Sequence, residues 1–138
     1  NAWQASLDGM KQTGWGRLLA TASTAGLKGY PYVSAYCAAK HGVVGLTKAL
    51  ALELAQSGVT VNAICPGFVE TPLLDASIEN IMQKTGRSRR QAEDTLKANN
   101  PQQRFIQPDE VAQTVLWLCS ENSCSLTGQA ISISGGEI

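Results

Sequence analysis

The stretch "SAYCAAKHGVVGLTKALALELAQSGVTVNAICPG", Ser34–Gly67, contains the change of periodicity on which the fold depends. Its first two-thirds are rich in Ala, Leu and Lys, good helix formers, which predicts a long helix from about Ser34 to Gln56. Gly58 follows in the C-cap region, where helices commonly end on a left-handed residue. Val59–Cys65 then becomes β-branched and mostly apolar, which suits a strand buried on both faces. Pro66-Gly67 stops that strand.

The same alternation continues in both directions. Upstream, Trp3, Leu7 and Met10 recur at helical spacing in "NAWQASLDGMKQTG", which reads as the tail of a helix capped by Gly14. Arg17–Ser23 is an apolar run of strand length, followed by a small-residue loop, "TAGLKGYPYV". Downstream, Thr71 is placed to N-cap a short helix with Pro72 at its first position. Ser88-Arg89-Arg90-Gln91 reads as a capping box opening another helix, which Asn99-Asn100-Pro101 ends. A further helix starts at Pro108, with Asp109 and Glu110 in its first turn and Val111, Val115, Leu118 and Cys119 on one apolar face. Ala130–Ser134 is a last strand closed by Gly135-Gly136. Strands alternating with helices mean parallel pairing through right-handed crossovers, hence an α/β layered sheet. No repeat or linker divides residues 1–138, so they read as one domain.

Bulk properties exclude several function classes. The 138 residues are 43% hydrophobic and 16% charged, a globular composition. Eleven basic and eleven acidic side chains cancel, so neither nucleic acid nor an anionic membrane is expected as a partner. The basic cluster "KTGRSRR", Lys84–Arg90, reads as a solvated loop. Cys37, Cys65, Cys119 and Cys124 form no C-x-x-C pair, and His41 is the single histidine, so no zinc site is expected. The cysteines read as small buried hydrophobes in a reducing cytosol. No apolar run approaches the roughly 20 residues that cross a bilayer, and the expectation is a cytoplasmic protein. Trp15, Trp117 and the leucines are expected in the core.

Ligands of open α/β sheets sit outside the carboxyl ends of the strands. Ser23, Pro66-Gly67 and Gly135-Gly136 fall at three such ends. Tyr36 and Lys40 lie in the first two turns of the helix after the first strand, on one face at i and i+4. A free phenol has a pKa of about 10, and a neighbouring ammonium favours the phenolate, lowering that value toward neutrality. The Ser23 hydroxyl could hold a substrate oxygen beside the phenol, while hydride would have to come from a bound cofactor. Ser34 reads as a helix N-cap and His41 as a packing or dimer contact. Gly135 and Gly136 are either a close backbone approach or a chain-end turn.

Ser23, Tyr36 and Lys40 at this spacing, followed by "CPGFVET" at Cys65–Thr71, resemble the short-chain dehydrogenase/reductase family. "GWGRLLATAS", "VTVNAICPG", "DEVAQTVLWLCS" and "LTGQAISISGG" look like that family's blocks in their usual order, across essentially the whole chain. The resemblance implies a doubly wound parallel sheet of Rossmann type and an NAD- or NADP-dependent oxidoreductase interconverting a secondary alcohol and a ketone. It implies Tyr36 as general acid/base, with Lys40 lowering its pKa and binding the nicotinamide ribose, and Ser23 positioning the reacting oxygen. Pro66 and Gly67 would let the backbone approach the nicotinamide, and Val69 and Thr71 would contact its carboxamide or the phosphates. Residues about 71–107 would form the substrate lid, and the helix about 34–56 would pair with its mate in a homodimer or homotetramer.

Within the family the pattern is most similar to 3-hydroxyacyl and 3-hydroxybutyrate dehydrogenases and 3-oxoacyl reductases. Ile78, Ile81, Met82, Leu96 and Phe105 in the lid suit an acyl chain or ordinary lid packing equally. The family's glycine-rich turn and coenzyme-selecting residue have no counterpart here, and its active-site asparagine would fall before Asn1. The expectation is therefore a C-terminal part of that fold, without the N-terminal dinucleotide-binding strands. The alternative is a catalytically silent fragment or oligomerisation module of the same fold.

Overall fold

The computed structural model describes residues 2–138; Asn1, to which no catalytic role is given above, lies outside the described residues. The first helix, α1 (Ala2–Thr13), leads through Gly14 into strand β1 (Gly16–Thr21). Helix α2 (Ser34–Glu53) and strand β2 (Val59–Pro66) follow. Helices α3 (Pro72–Thr85) and α4 (Arg89–Lys97) come next, and then α5 (Pro108–Cys119) and β3 (Ala130–Ile133). The three strands make one parallel sheet in the order β1-β2-β3.

The position of β2 follows from its composition. Every one of its residues is buried, and it pairs on both sides, with Gly16 opposite Val59 and Ala63 opposite Ala130. Asn62 interrupts the apolar run without cost because both ends of its amide are used. Its Nδ2 donates to Leu126 O at 2.7 Å, and its Oδ1 accepts from Gln129 N at 3.0 Å. A buried amide so satisfied fixes the approach to β3 instead of weakening the sheet.

Three apolar clusters support these elements. Leu18, Ala51, Leu54, Val59 and Val61 pack under α1, whose Trp3, Leu7 and Met10 lie against them as their spacing predicts. Ala22, Val44, Ala63 and Cys65 join α2 to the carboxyl half of the sheet. A third cluster lies between α3 and α4: Leu74, Ile78, Ala92, Leu96 and Phe105, with Phe68, Ile81 and Met82 beside them. Each fully buried Val, Leu or Ile contributes about 1.5–3 kcal/mol of transfer free energy. The far side of β1 is open, with an apolar groove of about 320 Å³ between α1 and α2 lined by Trp3, Leu19, Ala20, Val43 and Leu46.

Several expectations need correction. Strand β1 ends at Thr21, not Ser23, because the Ser23 hydroxyl caps a single-turn 3₁₀ helix, Thr24–Gly26. Helix α2 stops at Glu53, short of Gln56, and its N-cap is Val33, so Ser34 is helical. Thr71 stands at the N-cap of α3, but its hydroxyl bonds Val69 O and leaves the helix N-H groups alone. The capping box of Ser88 and Gln91 forms as expected. Trp15 and Trp117 are each 50% exposed, and Leu46, Leu52, Leu73 and Leu116 are exposed as well. In α2 the covered stripe is Cys37, Val44, Thr47 and Ala51, so leucines on the other faces meet solvent. Cys37 and Cys65 are buried as expected, but Cys119 is only partly so and Cys124 is exposed; all four are free thiols.

Candidate active site

Helix α2 projects Tyr36 and Lys40 to the carboxyl end of β1. The Lys40 ammonium donates to Thr21 O at 3.0 Å, which anchors it at the last residue of that strand. It also lies 5.6 Å from the centroid of the Tyr36 ring, one turn earlier on the same face. Tyr36 is 47% exposed, so its phenol remains open to a ligand. One of the three ammonium hydrogens is used on Thr21, leaving two for other acceptors.

The loop carrying Ser23 is held against the same turn of α2. A Cβ on Gly26 would stand 2.7 Å from Lys40 O, so the loop approaches the helix backbone at a distance only glycine permits. Ser23 Oγ accepts the Ala25 N–H at 3.1 Å, which orients the hydroxyl and leaves its own proton free to donate. Beneath both sits Cys65 at the end of β2. Burial pushes its thiol pKa up, and this outweighs a Ser23 backbone hydrogen bond and the Lys40 charge, which act in the opposite direction. Cys65 is thus a neutral floor between Ser23 and Lys40. Tyr36 and Lys40 share one helix face, and the loop that carries Ser23 packs on the Lys40 turn through Gly26.

Pro66 closes β2, and Gly67 N donates to Ile133 O at 3.0 Å, so the Pro-Gly turn is pinned to the end of β3. Val69 and Thr71 stand further along and are held differently. Val69 forms an isolated parallel bridge with Ile106, secured by Ile106 N to Phe68 O and Glu70 N to Ile106 O, both 2.9 Å. Thr71 lines a cavity of about 130 Å³ between α3 and α4, together with Leu74, Asp75 and Phe105. Tyr36 and Lys40 do not line that cavity. The residues offered above for an acyl chain or for packing, Ile78, Ile81, Met82, Leu96 and Phe105, lie in one apolar cluster, and Ile78 and Phe105 also line this cavity.

Gly135 and Gly136 stand in a turn, and Gly135 makes a close backbone approach as well. At φ +64 it brings the backbone so near Asn100 that a Cβ would stand 2.0 Å from Asn100 Oδ1. His41 Nδ1 lies 2.9 Å from Cys37 O within α2. Among the described residues no group of three or more His, Cys, Asp or Glu side chains is placed to hold a metal ion.

Sequence reasoning missed a polar cluster beside this cleft. The Tyr30 hydroxyl bonds a carboxylate oxygen of Glu137 and lies 2.8 Å from Thr24 Oγ1. Lys28 Nζ reaches the same Glu137 oxygen at 2.9 Å and lies 5.0 Å from the Tyr30 ring centroid. Burial, then the Glu137 carboxylate, raise the Tyr30 pKa well above the ordinary phenol value, against a smaller opposite effect from Thr24. Tyr30 therefore keeps its proton. The only sequence signal is an acidic residue at the chain's far end; its partners lie more than 100 positions away, beyond any local pattern.

Comparison with known proteins places this arrangement. A family model described as Enoyl-(Acyl carrier protein) reductase matches residues 1–137. The chain belongs to the short-chain dehydrogenase/reductase family. It is 44% identical over 128 residues to a D-beta-hydroxybutyrate dehydrogenase of Rhizobium meliloti, covering 92% of this chain and 50% of that protein. A putative ketoacyl reductase of Streptomyces coelicolor is 45% identical over 128 residues, covering 93% of this chain and 49% of that one. Among solved structures, an actinorhodin polyketide ketoreductase variant with NADPH superposes with TM-score 0.88 at 44% identity, covering 94% of this chain and 49% of its own. The chain spans about half the length of the curated relatives it matches. Its three-stranded sheet with flanking helices is accordingly part of the Rossmann-type sheet of this short-chain dehydrogenase/reductase fold.

Proposed function

We propose that this chain carries the proton-transfer half of an NAD- or NADP-dependent oxidoreductase that interconverts a secondary alcohol and a ketone. The observation that carries the reading is the Lys40 ammonium, fixed between Thr21 O and the Tyr36 ring, with the Ser23 loop packed on Lys40's own backbone. The residues present fit a nicotinamide riboside: two ammonium hydrogens of Lys40 are available for ribose hydroxyls, and the Pro66-Gly67 turn stands at the adjacent strand end. A reduced nicotinamide held there would supply the hydride for the carbonyl carbon.

The chain's own residues do the rest. As the carbonyl oxygen takes the electron pair of its π bond, Tyr36 Oη gives it the phenolic proton, and alcohol oxidation runs the same transfer backwards. The Ser23 hydroxyl, oriented by Ala25 N–H, donates to the same oxygen and stabilises the developing charge. Lys40 sets a positive charge 5.6 Å from the centroid of the ring on which negative charge develops as the proton leaves. Val69 and Thr71, the remaining proposed coenzyme contacts, would meet the carboxamide or phosphates at the root of the lid formed by residues 71–107.

The proposed substrates are 3-hydroxyacyl and 3-oxoacyl compounds or 3-hydroxybutyrate. Relatives named for D-beta-hydroxybutyrate and ketoacyl chemistry at 44–46% identity support this choice. The coenzyme proposal draws support from solved relatives carrying NADPH or NADP. A homo-oligomer through α2 is proposed because that helix presents Leu46 and Leu52 to solvent. No helix among the described residues is long and apolar enough to cross a membrane, and a cytoplasmic location is proposed with the rest.

The decisive experiment is Tyr36→Phe in the full-length protein, with acetoacetate or an acetoacetyl thioester and NADPH or NADH. Turnover should fall by about 10²–10⁴-fold while the circular dichroism spectrum is unchanged. Undiminished turnover removes the acid/base role. Absence of coenzyme binding, followed by tryptophan fluorescence, points instead to the catalytically silent module.

A further inference from the structure

We propose that Glu137 is a positioning residue: through Tyr30 and Lys28 its carboxylate holds the loop that presents Ser23, and by lying along Gly67 it sets that loop against the end of β2. The inference rests on the reading of Ser23 and Tyr36 just given and adds a residue from the far end of the chain to that site.

The Glu137 side chain is only 4% exposed. A buried carboxylate persists only where partners meet its charge, and here both do. Lys28 supplies an ammonium at 2.9 Å and Tyr30 a phenolic hydrogen. A phenol has one proton, and the carboxylate takes it, so the 2.8 Å contact between Tyr30 Oη and Thr24 Oγ1 is made by the Thr24 hydroxyl donating. The relay therefore runs from Thr24 to Tyr30 to Glu137.

Thr24 is the residue after Ser23 and opens the 3₁₀ turn that Ser23 caps. Its carbonyl also accepts the backbone N–H of Lys28 at 3.0 Å, closing residues 24–28 into a compact turn. All three of Thr24, Lys28 and Tyr30 thus belong to the loop carrying Ser23, and all converge on one carboxylate. On its other side, Glu137 Oε2 lies 3.5 Å from the point where a Cβ on Gly67 would stand, so the carboxylate packs on the Pro-Gly turn. Glu137 N bonds Ser134 O at 3.4 Å, and Ser134 is itself buried. The carboxylate links the ends of β1, β2 and β3 where the reaction is proposed to occur.

The relay would hold the Ser23 hydroxyl at one distance from the Tyr36 phenol. Misplacement of a donor by a fraction of an ångström is costly because the transition-state hydrogen bond is made only at the correct separation. Glu137→Gln preserves shape and removes the charge; Tyr30→Phe preserves the ring and removes the relay without touching the ion pair.

The test is a kinetic cycle in the full-length protein, measuring ketone reduction with NADPH or NADH in wild type, Ser23→Ala, Glu137→Gln, Tyr30→Phe and the two doubles with Ser23→Ala. Glu137→Gln and Tyr30→Phe should each lower kcat about tenfold, and neither should lower it further in the Ser23→Ala background. Amide hydrogen exchange across residues 22–30 should speed up about tenfold in both single variants while α2 is unchanged. Losses that multiply with that of Ser23→Ala, or exchange that rises uniformly over the molecule, show a general structural role and overturn the proposal while leaving the catalytic reading standing. Wild-type kcat in Glu137→Gln and Tyr30→Phe overturns it too. Full activity of Ser23→Ala refutes the catalytic reading, and the positioning role with it. If Glu137→Gln does not fold, the Tyr30→Phe cycle decides alone.

Discussion

Gly135→Ala measures how tightly the end of β3 is fitted to the turn at Asn100 that follows α4. Gly135 has φ +64, and an alanine held there costs about 1–2 kcal/mol in backbone strain. Its Cβ would also stand 2.0 Å from Asn100 Oδ1, so the asparagine must move. Asn100 is 7% exposed and closes the chain after α4: its Oδ1 accepts Gln102 N at 2.8 Å and its Nδ2 donates to Arg104 O at 2.9 Å. Losing two part-buried hydrogen bonds costs about 2 kcal/mol. Gly135→Ala should therefore destabilise by about 3–4 kcal/mol in all. The assay is urea denaturation of the full-length protein, where the midpoint should fall with little change in slope. Asn100→Ala alone should cost about 2 kcal/mol, and the double variant no more than Gly135→Ala, because the methyl then meets no amide. A single-variant cost below about 1 kcal/mol, or costs that simply add in the double, would refute the steric argument.

Two further outcomes follow from charge and exposure. The Arg104 guanidinium holds Glu110 with two bonds, 2.6 and 2.7 Å, and with help from Gln107 N–H lowers its pKa from 4.5 to about 2. A depressed carboxyl pKa stabilises the fold fully above the ordinary value and loses that contribution as pH falls through the folded one. The stability advantage of wild type over Glu110→Gln should therefore fade between about pH 4.5 and 2; an advantage undiminished below that window would contradict the pairing. In the native protein, iodoacetamide should label exposed Cys124 first and spare Cys37 and Cys65. The raised pKa of Cys65 adds chemical protection to steric protection, and peptide mass spectrometry showing Cys65 modified as fast as Cys124 would contradict its burial.

Features built from neighbours in the chain were visible beforehand. The Ser88–Gln91 box, the β2 strand and the Tyr36–Lys40 pair each depend on spacing within one element, and spacing is what a sequence displays. The Ser23 strand end was misjudged by two residues because an extended backbone and a helix cap look alike until the 3₁₀ turn is seen. Leu46 and Leu52 were assigned to the core because α2 is apolar on several faces, and periodicity does not tell which face is covered. Glu137 bonds residues far away in the sequence, so nothing local marks it, and the Gly135 pair was marked without its partner Asn100.

The separate core of α3 and α4 bears on how this fold can vary. The two helices bury their apolar side chains mainly against each other and against Phe68 and Phe105, so little of the sheet's own packing depends on them. One tie at their root is the Val69–Ile106 bridge, which is made by main-chain atoms and so tolerates many side chains. A segment joined in this way should accept changes of length or sequence with little effect on the strands beneath it, so one sheet could carry differently shaped insertions.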